Sequence, residues 1–282
     1  MQGFWVRVVK YVADRQNEDG GYTFCKGTES NAQDTYYALA ILNLLGVQFP
    51  NLEKTVEWLQ NFTPEGLYQH YYVAKALRIC GKEPNKKLLR EFILSLPAAR
   101  GKFSSEVYVE VPSELLSLFM LTELLELAGV VIDRIKTVNW LLSFKNDDGG
   151  FGANGHSSLN STYYAVASLN NLGYPVISLK DTLEYVRACE KPFGGFTAVP
   201  EGTKPYMEHV YFGFSTLAFF NQRLRYPKET AEFILRCQNA NGGFARSEVG
   251  ISTFEDTFYA ATVLRHLEQD RIYLTSCKAK WK

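Results

Sequence analysis

The sequence predicts an all-α fold, a toroid of six helical hairpins that forms one domain over residues 1–282. A signature occurs six times along the chain at a spacing of about 45 residues, which is typical of a repeat architecture. Each repeat also encodes two helices of different character, one amphipathic and one apolar on every side. Because the first and last repeats are complete and neither has a polar capping form, we expect the hairpins to close into a ring.

The repeat signature begins with an aromatic residue followed by an aliphatic one, and it leads into a glycine turn that ends in an aromatic residue. The six starts are Tyr11-Val12, Trp58-Leu59, Phe92-Ile93, Trp140-Leu141, Tyr185-Val186 and Phe233-Ile234. Clear turns are Gly20-Gly21-Tyr22, Gly149-Gly150-Phe151, Gly194-Gly195-Phe196 and Gly242-Gly243-Phe244, with weaker copies at Gly66-Leu67-Tyr68 and Gly101-Lys102-Phe103. The shared order indicates that the six units have the same local fold.

The two helices of each hairpin are predicted from their charge patterns. In residues 85–96, charged side chains alternate with leucines and Phe92, so this outer helix should have one face in solvent. Residues 36–45 and 163–172 carry no charge, so these inner helices should be buried on every side. The third inner helix begins irregularly, at Pro112-Ser113-Glu114. Glycines that are predicted to end inner helices stand at 46, 81, 129 and 173.

Composition excludes several classes of protein. The chain has 30 Lys and Arg against 30 Asp and Glu, so it lacks the basic surface of a nucleic-acid binder. Its five cysteines form neither a CxxC pair nor a disulfide framework, which favours a reducing, cytoplasmic location. No stretch of about 18 uncharged apolar residues predicts a membrane span.

Aromatic pairs open five of the six predicted inner helices. They are Tyr36/Tyr37, Tyr71/Tyr72, Tyr163/Tyr164, Tyr211/Phe212 and Phe258/Tyr259. In a closed ring these ten residues would lie at one level and form an aromatic collar, able to hold a hydrocarbon or a cation. The alternative is that most of these rings only pack inner helices against outer ones.

Polar residues cluster at the same predicted level. They are Asp34, His70, Glu114, Glu208, His209, Glu255 and Asp256, with His156 in a nearby loop. Asp34 and Asp256, each followed by threonine, fit a helix-capping role. A histidine beside a carboxylate, as in Glu208 and His209, suits general acid and base chemistry.

The unit Phe233-Ile234-x3-Gln238-x3-Gly242-Gly243-Phe244, and its copy from Tyr11 to Tyr22, resembles the repeat of terpenoid cyclases and of protein prenyltransferase β subunits. That resemblance covers nearly the whole chain. It implies an (α/α)6 barrel whose apolar central cavity handles isoprenoid chains, and it implies a helical-repeat α subunit as a protein partner.

The chemistry of these relatives is only partly matched. The cyclase motif DxDD is absent. The zinc ligands of prenyltransferases align with Glu208, Val210 and either Phe258 or Tyr259, so one position of three can coordinate. The diphosphate-binding loop offers Lys204, and the histidine of the preceding repeat aligns with Asn160. We therefore expect no cofactor; zinc is possible but unsupported by these ligand positions.

These observations predict a prenyltransferase-like or terpenoid-handling protein that binds an isoprenoid or its diphosphate in the central cavity. The candidate catalytic residues are Glu208, His209 and Asp256. The candidate substrate-binding residues are Tyr36, His70, Tyr71, Tyr163, Lys204, Tyr211, Phe258 and Tyr259. The alternative is a non-catalytic toroid that serves as a partner-binding or regulatory subunit.

Overall fold

A computed structural model describes residues 2–96 and 114–269. Within these residues the chain forms twelve α-helices in order. They are α1 (Gln2–Ala13), α2 (Ala32–Leu44), α3 (Leu52–Asn61), α4 (Gly66–Ile79), α5 (Lys86–Ser95), α6 (Glu114–Ala128), α7 (Arg134–Leu142), α8 (Leu159–Asn171), α9 (Lys180–Cys189), α10 (Met207–Phe219), α11 (Pro227–Arg236) and α12 (Phe254–Gln269). Two short antiparallel strands, β1 (Phe244–Ala245) and β2 (Ser252–Thr253), join α11 to α12.

The helices form six hairpins arranged in a ring. The even-numbered helices are the inner ones, and each packs against the next, from α2 through α4, α6, α8 and α10 to α12. Helix α12 then packs against α2, which closes the ring. The predicted toroid is therefore confirmed.

The structure confirms the predicted amphipathic outer helix and the glycines that end inner helices. Helix α5 is capped by Asn85, whose side chain accepts from the Leu88 amide, and it buries Leu89 and Ile93 while Leu88 stays exposed. The glycines at 46, 81, 129 and 173 all have φ between +63° and +71°, the left-handed conformation with which glycine ends a helix.

Each clear glycine turn packs against the backbone of the next outer helix around the ring. A Cβ on the first glycine of the turn would overlap the backbone of that helix, at Lys54, Asp181, Glu229 and Arg7 for the turns at Gly20, Gly149, Gly194 and Gly242. The last of these contacts joins α11 to α1, so the turn that links neighbouring repeats elsewhere also closes the ring. Further contacts across this junction are Trp5 Nε1 to Glu268 Oε1, 3.1 Å, and Tyr11 Oη to the Ser252 carbonyl, 3.0 Å.

The aromatic residue of each clear turn is fully buried behind an inner helix. Tyr22, Phe151, Phe196 and Phe244 each have 0% exposure. In three of the four turns its amide donates to the threonine in the fourth position of the following inner helix, at 3.0 Å for Thr35, Thr162 and Thr257. These hydrogen bonds fix how high each inner helix begins relative to its turn.

Two of the predicted turns differ from the other four. Gly66 is the first residue of α4, with φ +65°, and a loop of only four residues, 62–65, joins α3 to α4. The second repeat therefore has no separate glycine turn, and Tyr68 lies within α4. The predicted turn at Gly101-Lys102-Phe103 and the helix start at Pro112-Ser113 lie outside the described residues.

Candidate functional site

The six inner helices place aromatic side chains at one level inside the ring. Tyr36, Tyr163, Tyr211 and Phe258 stand fifth in α2, α8, α10 and α12. Tyr71 and Phe119 stand sixth in α4 and α6. Phe119 supplies the ring that the sequence pattern did not reveal for the third inner helix, because its helix begins without an aromatic pair.

These rings touch one another around the whole circumference. A closed path runs through Tyr36, Tyr37, Phe258, Tyr211, Tyr163, Phe119 and Tyr71 and back to Tyr36, with successive ring centroids 5.1–6.4 Å apart. Two further pairs stack nearly parallel, Tyr211 on Tyr259 at 4.4 Å and Tyr163 on Phe212 at 4.7 Å. All six inner helices therefore contribute to one continuous aromatic lining.

The lining encloses a central cavity of about 220 Å³. Twelve of its sixteen lining residues are aromatic: the ten residues of the aromatic collar together with Tyr68 and Phe119. The other four are Gln33, Leu116, Met120 and Glu255. Burial raises the pKa of the Tyr37, Tyr71, Tyr163 and Tyr259 hydroxyls well above 10, so these phenols stay neutral hydrogen-bond donors.

Among the described residues that line this cavity, Glu255 is the one ionisable acid or base apart from the tyrosines. Its Oε1 accepts hydrogen bonds from Tyr259 Oη at 2.8 Å and from Tyr37 Oη at 3.0 Å. Burial raises the pKa of this carboxyl, with a further contribution from Glu208 and Asp34, and the two phenols partly offset the rise. The sequence placed Glu255 at this level, but only its spacing of four residues from Tyr259 on a helix could have marked it as a lining group.

An ion pair lies one helical turn beyond the collar along α4 and α6, at what we call its inner end. Glu123 Oε2, on α6, accepts from Lys75 Nζ and from Tyr71 Oη, both at 2.7 Å. Both charged side chains are partly exposed. Sequence reasoning missed this pair, because Lys75 and Glu123 lie on neighbouring inner helices and their approach depends on how α4 and α6 pack.

At the end of the ring where the inner helices begin, which we call the mouth, Glu208 pairs with an arginine that the sequence pattern does not indicate. Arg246 Nε donates to Glu208 Oε1 at 2.8 Å, and its guanidinium lies over the Tyr206 ring, 4.2 Å from the centroid. Arg246 follows β1, so the hairpin before α12 brings it to the start of α10. The charge of Glu208 is therefore already neutralised from within the chain.

His209 is buried beside this pair. Its Nε2 is 3.9 Å from Glu208 Oε1, and its Nδ1 has no hydrogen-bond partner among the described residues. Burial lowers the pKa of the imidazole, so the ring is neutral near pH 7. The second oxygen of Glu208, Oε2, is likewise buried without a partner in the described part of the chain.

Asp256 and Asp34 take part in helix capping. Thr253 is the cap of α12: its Oγ1 accepts from the Asp256 amide at 3.0 Å and donates to Asp256 Oδ2 at 2.7 Å. Asn31 and Asp34 form the equivalent reciprocal pair on α2, with both bonds at 2.8 Å. Each aspartate thus stands third in its helix and accepts a hydrogen bond from the side chain of the cap residue. Burial, reinforced by Glu255 and Glu208, raises the pKa of Asp256 to about 7.

The remaining candidates lie away from the cavity. His70 stacks on Phe92 with ring centroids 3.6 Å apart, and its Nδ1 is 2.8 Å from the Gly66 carbonyl. Lys204 is exposed in the loop before α10. The structure therefore brings together six of the eight predicted substrate-binding residues, Tyr36, Tyr71, Tyr163, Tyr211, Phe258 and Tyr259, and it leaves His70 and Lys204 outside the lining.

The donor set at the mouth does not suit zinc. Within residues 2–96 and 114–269, no group of three or more His, Cys, Asp or Glu side chains is arranged to hold a metal ion. At the aligned ligand positions, Val210 offers no donor atom, Phe258 and Tyr259 belong to the aromatic lining, and Glu208 is engaged by Arg246.

Comparison with known proteins gives the same picture of the fold. The family model of the prenyltransferase alpha-alpha toroid domain matches residues 4–69, 65–203 and 115–281. The chain belongs to the prenyltransferase alpha-alpha toroid domain family. A search of curated proteins found none that matches this chain.

Two solved structures illustrate how this toroid compares with others of its fold. Protein geranylgeranyltransferase-I of Candida albicans, complexed with GGPP, superposes with a TM-score of 0.73 at 20% identity, covering 86% of this chain and 85% of that one. A type II terpene cyclase from Scytonema, in complex with geranylgeranyl dihydroxybenzoate, superposes with a TM-score of 0.61 at 14% identity, covering 97% and 98%. At these identities the likeness shows the fold alone. No helix in the described part of this toroid has the length and apolar character needed to cross a membrane.

Proposed function

We propose that this toroid binds an isoprenoid chain in its central cavity. The observation that carries the proposal is the continuous aromatic lining to which all six inner helices contribute. Aromatic faces present a large apolar area at a small cost in conformational entropy, which suits a branched, unsaturated hydrocarbon. The ligands of the two similar structures, GGPP and geranylgeranyl dihydroxybenzoate, support the same class of molecule.

The size of the cavity favours a short chain. Its volume of about 220 Å³ lies below the roughly 300–1,000 Å³ that is usual for small-molecule pockets. One or two isoprene units therefore match the cavity better than a chain of fifteen or twenty carbons, which would require collar side chains to rotate.

Prenyl transfer is the reaction that we propose to test for this site. Asp256 and His209 stand at the mouth, where the polar end of a bound chain would lie, and a carboxyl with a pKa of about 7 can both donate and accept a proton near neutral pH. The Arg246 guanidinium, held over Tyr206, orients Glu208 at the same place.

A second candidate is a non-catalytic toroid that acts as a partner-binding or regulatory subunit. The specific observation in its favour is the Glu208–Arg246 ion pair, which occupies the one aligned position that could still coordinate a metal. Under this alternative the cavity binds an isoprenoid without converting it.

Binding can be tested with prenyl alcohols of five, ten, fifteen and twenty carbons, measured by calorimetry on the full chain. We expect the five- and ten-carbon alcohols to bind most tightly. Phe258→Leu removes one collar ring and should weaken that binding about 3–10-fold, because aromatic contacts contribute roughly 0.5–1.5 kcal/mol beyond their area. Phe193→Leu makes the same chemical change at a half-exposed ring outside the cavity and should have no effect.

The result that would overturn the proposal is an absence of binding for alcohols of every length, or equal loss of affinity in the two variants. Turnover of the matching prenyl diphosphates, reduced by Asp256→Asn at unchanged alcohol affinity, would favour the transferase. Alcohol binding without turnover would favour the non-catalytic toroid.

A further inference from the structure

The central cavity joins aromatic faces to one carboxylate that has no cationic partner. Glu255 receives hydrogen bonds from Tyr37 and Tyr259, and within the described residues no lysine or arginine forms an ion pair with it. None of the sixteen residues that line the cavity is a lysine, an arginine or a histidine. A charged ligand that entered this space would therefore meet one carboxyl group, the Gln33 amide, phenols and apolar or aromatic surfaces, but no cationic side chain of these sixteen residues.

The charges around the cavity are also predominantly negative. Two cations of the described residues that lie close to the cavity are each paired with a carboxylate: Lys75 with Glu123, and Arg246 with Glu208. Asp34 and Glu208 both act on Glu255 in the direction that raises its pKa, as like charges do. Among the residues that the structure describes, no basic side chain lines the cavity where a diphosphate would have to bind.

The helix N-termini at the mouth do not reverse this balance. The inner helices begin at the mouth, and helix N-termini attract anions. Acidic residues already occupy the first turns of three of them: Asp34 in α2, Glu208 in α10, and Glu255 and Asp256 in α12. The positive ends of these helices are therefore offset by the chain's own carboxylates.

We propose that the cavity selects a short branched hydrocarbon that ends in an ammonium group, whose charge pairs with Glu255 and lies against the tyrosine faces. The hydrocarbon part of this inference rests on the proposed function, since it occupies the same cavity. A desolvated ammonium is attracted both to a carboxylate and to the faces of aromatic rings. The volume of about 220 Å³ suits a ligand with one isoprene unit.

Three five-carbon probes that share one chain test the inference: 3-methylbut-2-enyl ammonium, the corresponding alcohol and the corresponding diphosphate. Calorimetry on the wild-type chain should show the ammonium binding at least about tenfold more tightly than the alcohol, which corresponds to ~1.4 kcal/mol. The diphosphate should bind more weakly than the alcohol.

The matched variants are Glu255→Gln and Glu57→Gln. Glutamine keeps an acceptor oxygen for the two phenols but removes the charge, so Glu255→Gln should weaken the ammonium about tenfold or more and leave the alcohol nearly unchanged. Glu57 is exposed on the outer helix α3, so Glu57→Gln should leave all three affinities unchanged. Circular dichroism checks that both variants are folded.

The inference would be overturned if the ammonium and the alcohol bound with equal affinity, or if the diphosphate bound most tightly. These comparisons use the wild-type chain, so they decide the question even if Glu255→Gln does not fold. Loss of ammonium affinity in both variants would also overturn it. Either result leaves the proposed function standing as long as the prenyl alcohols bind. Binding of the ammonium when no alcohol of any length binds would sink the proposed function instead and support the cation site.

Discussion

Replacing Asp256 by asparagine should make the toroid more stable at neutral and alkaline pH. Burial, with Glu255 and Glu208 close by, raises the pKa of this carboxyl from 3.8 to about 7. Because the folded-state pKa lies above the unfolded one, the favourable contribution of protonated Asp256 is fully present below about pH 4 and is lost as the pH rises through 7. Asparagine carries no charge at any pH and avoids that loss.

The magnitude follows from the size of the shift. About three pKa units at ~1.4 kcal/mol each set a ceiling of about 4 kcal/mol above pH 8. Asparagine keeps an oxygen that can accept from Thr253 Oγ1, but its buried amide adds donors that cost about 1 kcal/mol or more if they find no partner. We therefore expect Asp256→Asn to unfold with a free energy about 1–3 kcal/mol higher than wild type at pH 8.

Urea denaturation at pH 4, 6 and 8 measures this difference. The diagnostic is the slope: the advantage of the variant should grow steadily from pH 4 to pH 8. Asp181→Asn is a control of opposite sign, because a hydrogen bond from Lys145 lowers the pKa of Asp181. That variant should be slightly less stable than wild type at neutral pH and should match it at low pH. Parallel pH profiles for wild type and Asp256→Asn would refute the reasoning.

Two further predictions concern the turns that hold the ring together, and each is measured by denaturation. Gly242→Ala should lower the free energy of unfolding by about 2–4 kcal/mol, because φ is +94° and the new methyl would overlap the backbone of α1. Gly27 has a similar φ of +90° but open space around it, so Gly27→Ala should lower the free energy of unfolding by only about 1–2 kcal/mol. Equal losses would show that the contact with α1 contributes nothing. Thr257→Val should cost about 1–3 kcal/mol by leaving the buried Phe244 amide without its acceptor. Thr262→Val, which loses only a hydrogen bond to a carbonyl of its own helix, should cost much less.

The repeat pattern predicted the fold because the pattern and the contacts have the same period. Turn glycines such as Gly20 are required by backbone contact with the next outer helix, so the sequence records a contact that recurs around the ring. The second repeat shows the limit of this reasoning. The glycine pattern predicts a weak turn at Gly66, but the loop before it is too short and the glycine begins α4 instead.

The sequence predicts only those parts of the candidate site that recur with the repeat of about 45 residues. The aromatic pairs could be placed at one level from sequence alone. Arg246 and the Lys75–Glu123 pair could not, because each joins two elements whose approach is fixed by packing. Side-chain chemistry alone favours Glu208, His209 and Asp256 as catalytic residues, yet Glu255 is the carboxylic acid that lines the aromatic cavity.

One interaction connects the fold to the position of the aromatic lining. In α2, α8 and α12 the threonine in the fourth position binds the amide of the turn, so the aromatic pair that follows must stand fifth and sixth, at the same height in each helix. Helix α10 has Val210 at that position, and its turn is held by α11 through a different amide: Gly195 N, one residue before Phe196, donates to Thr230 Oγ1 at 3.0 Å. Tyr211 nevertheless stays level with Phe258 and Tyr163, at 5.8 and 6.0 Å. The height of α10 is therefore set by the packing of Tyr211 against the rings of its neighbours, α8 and α12.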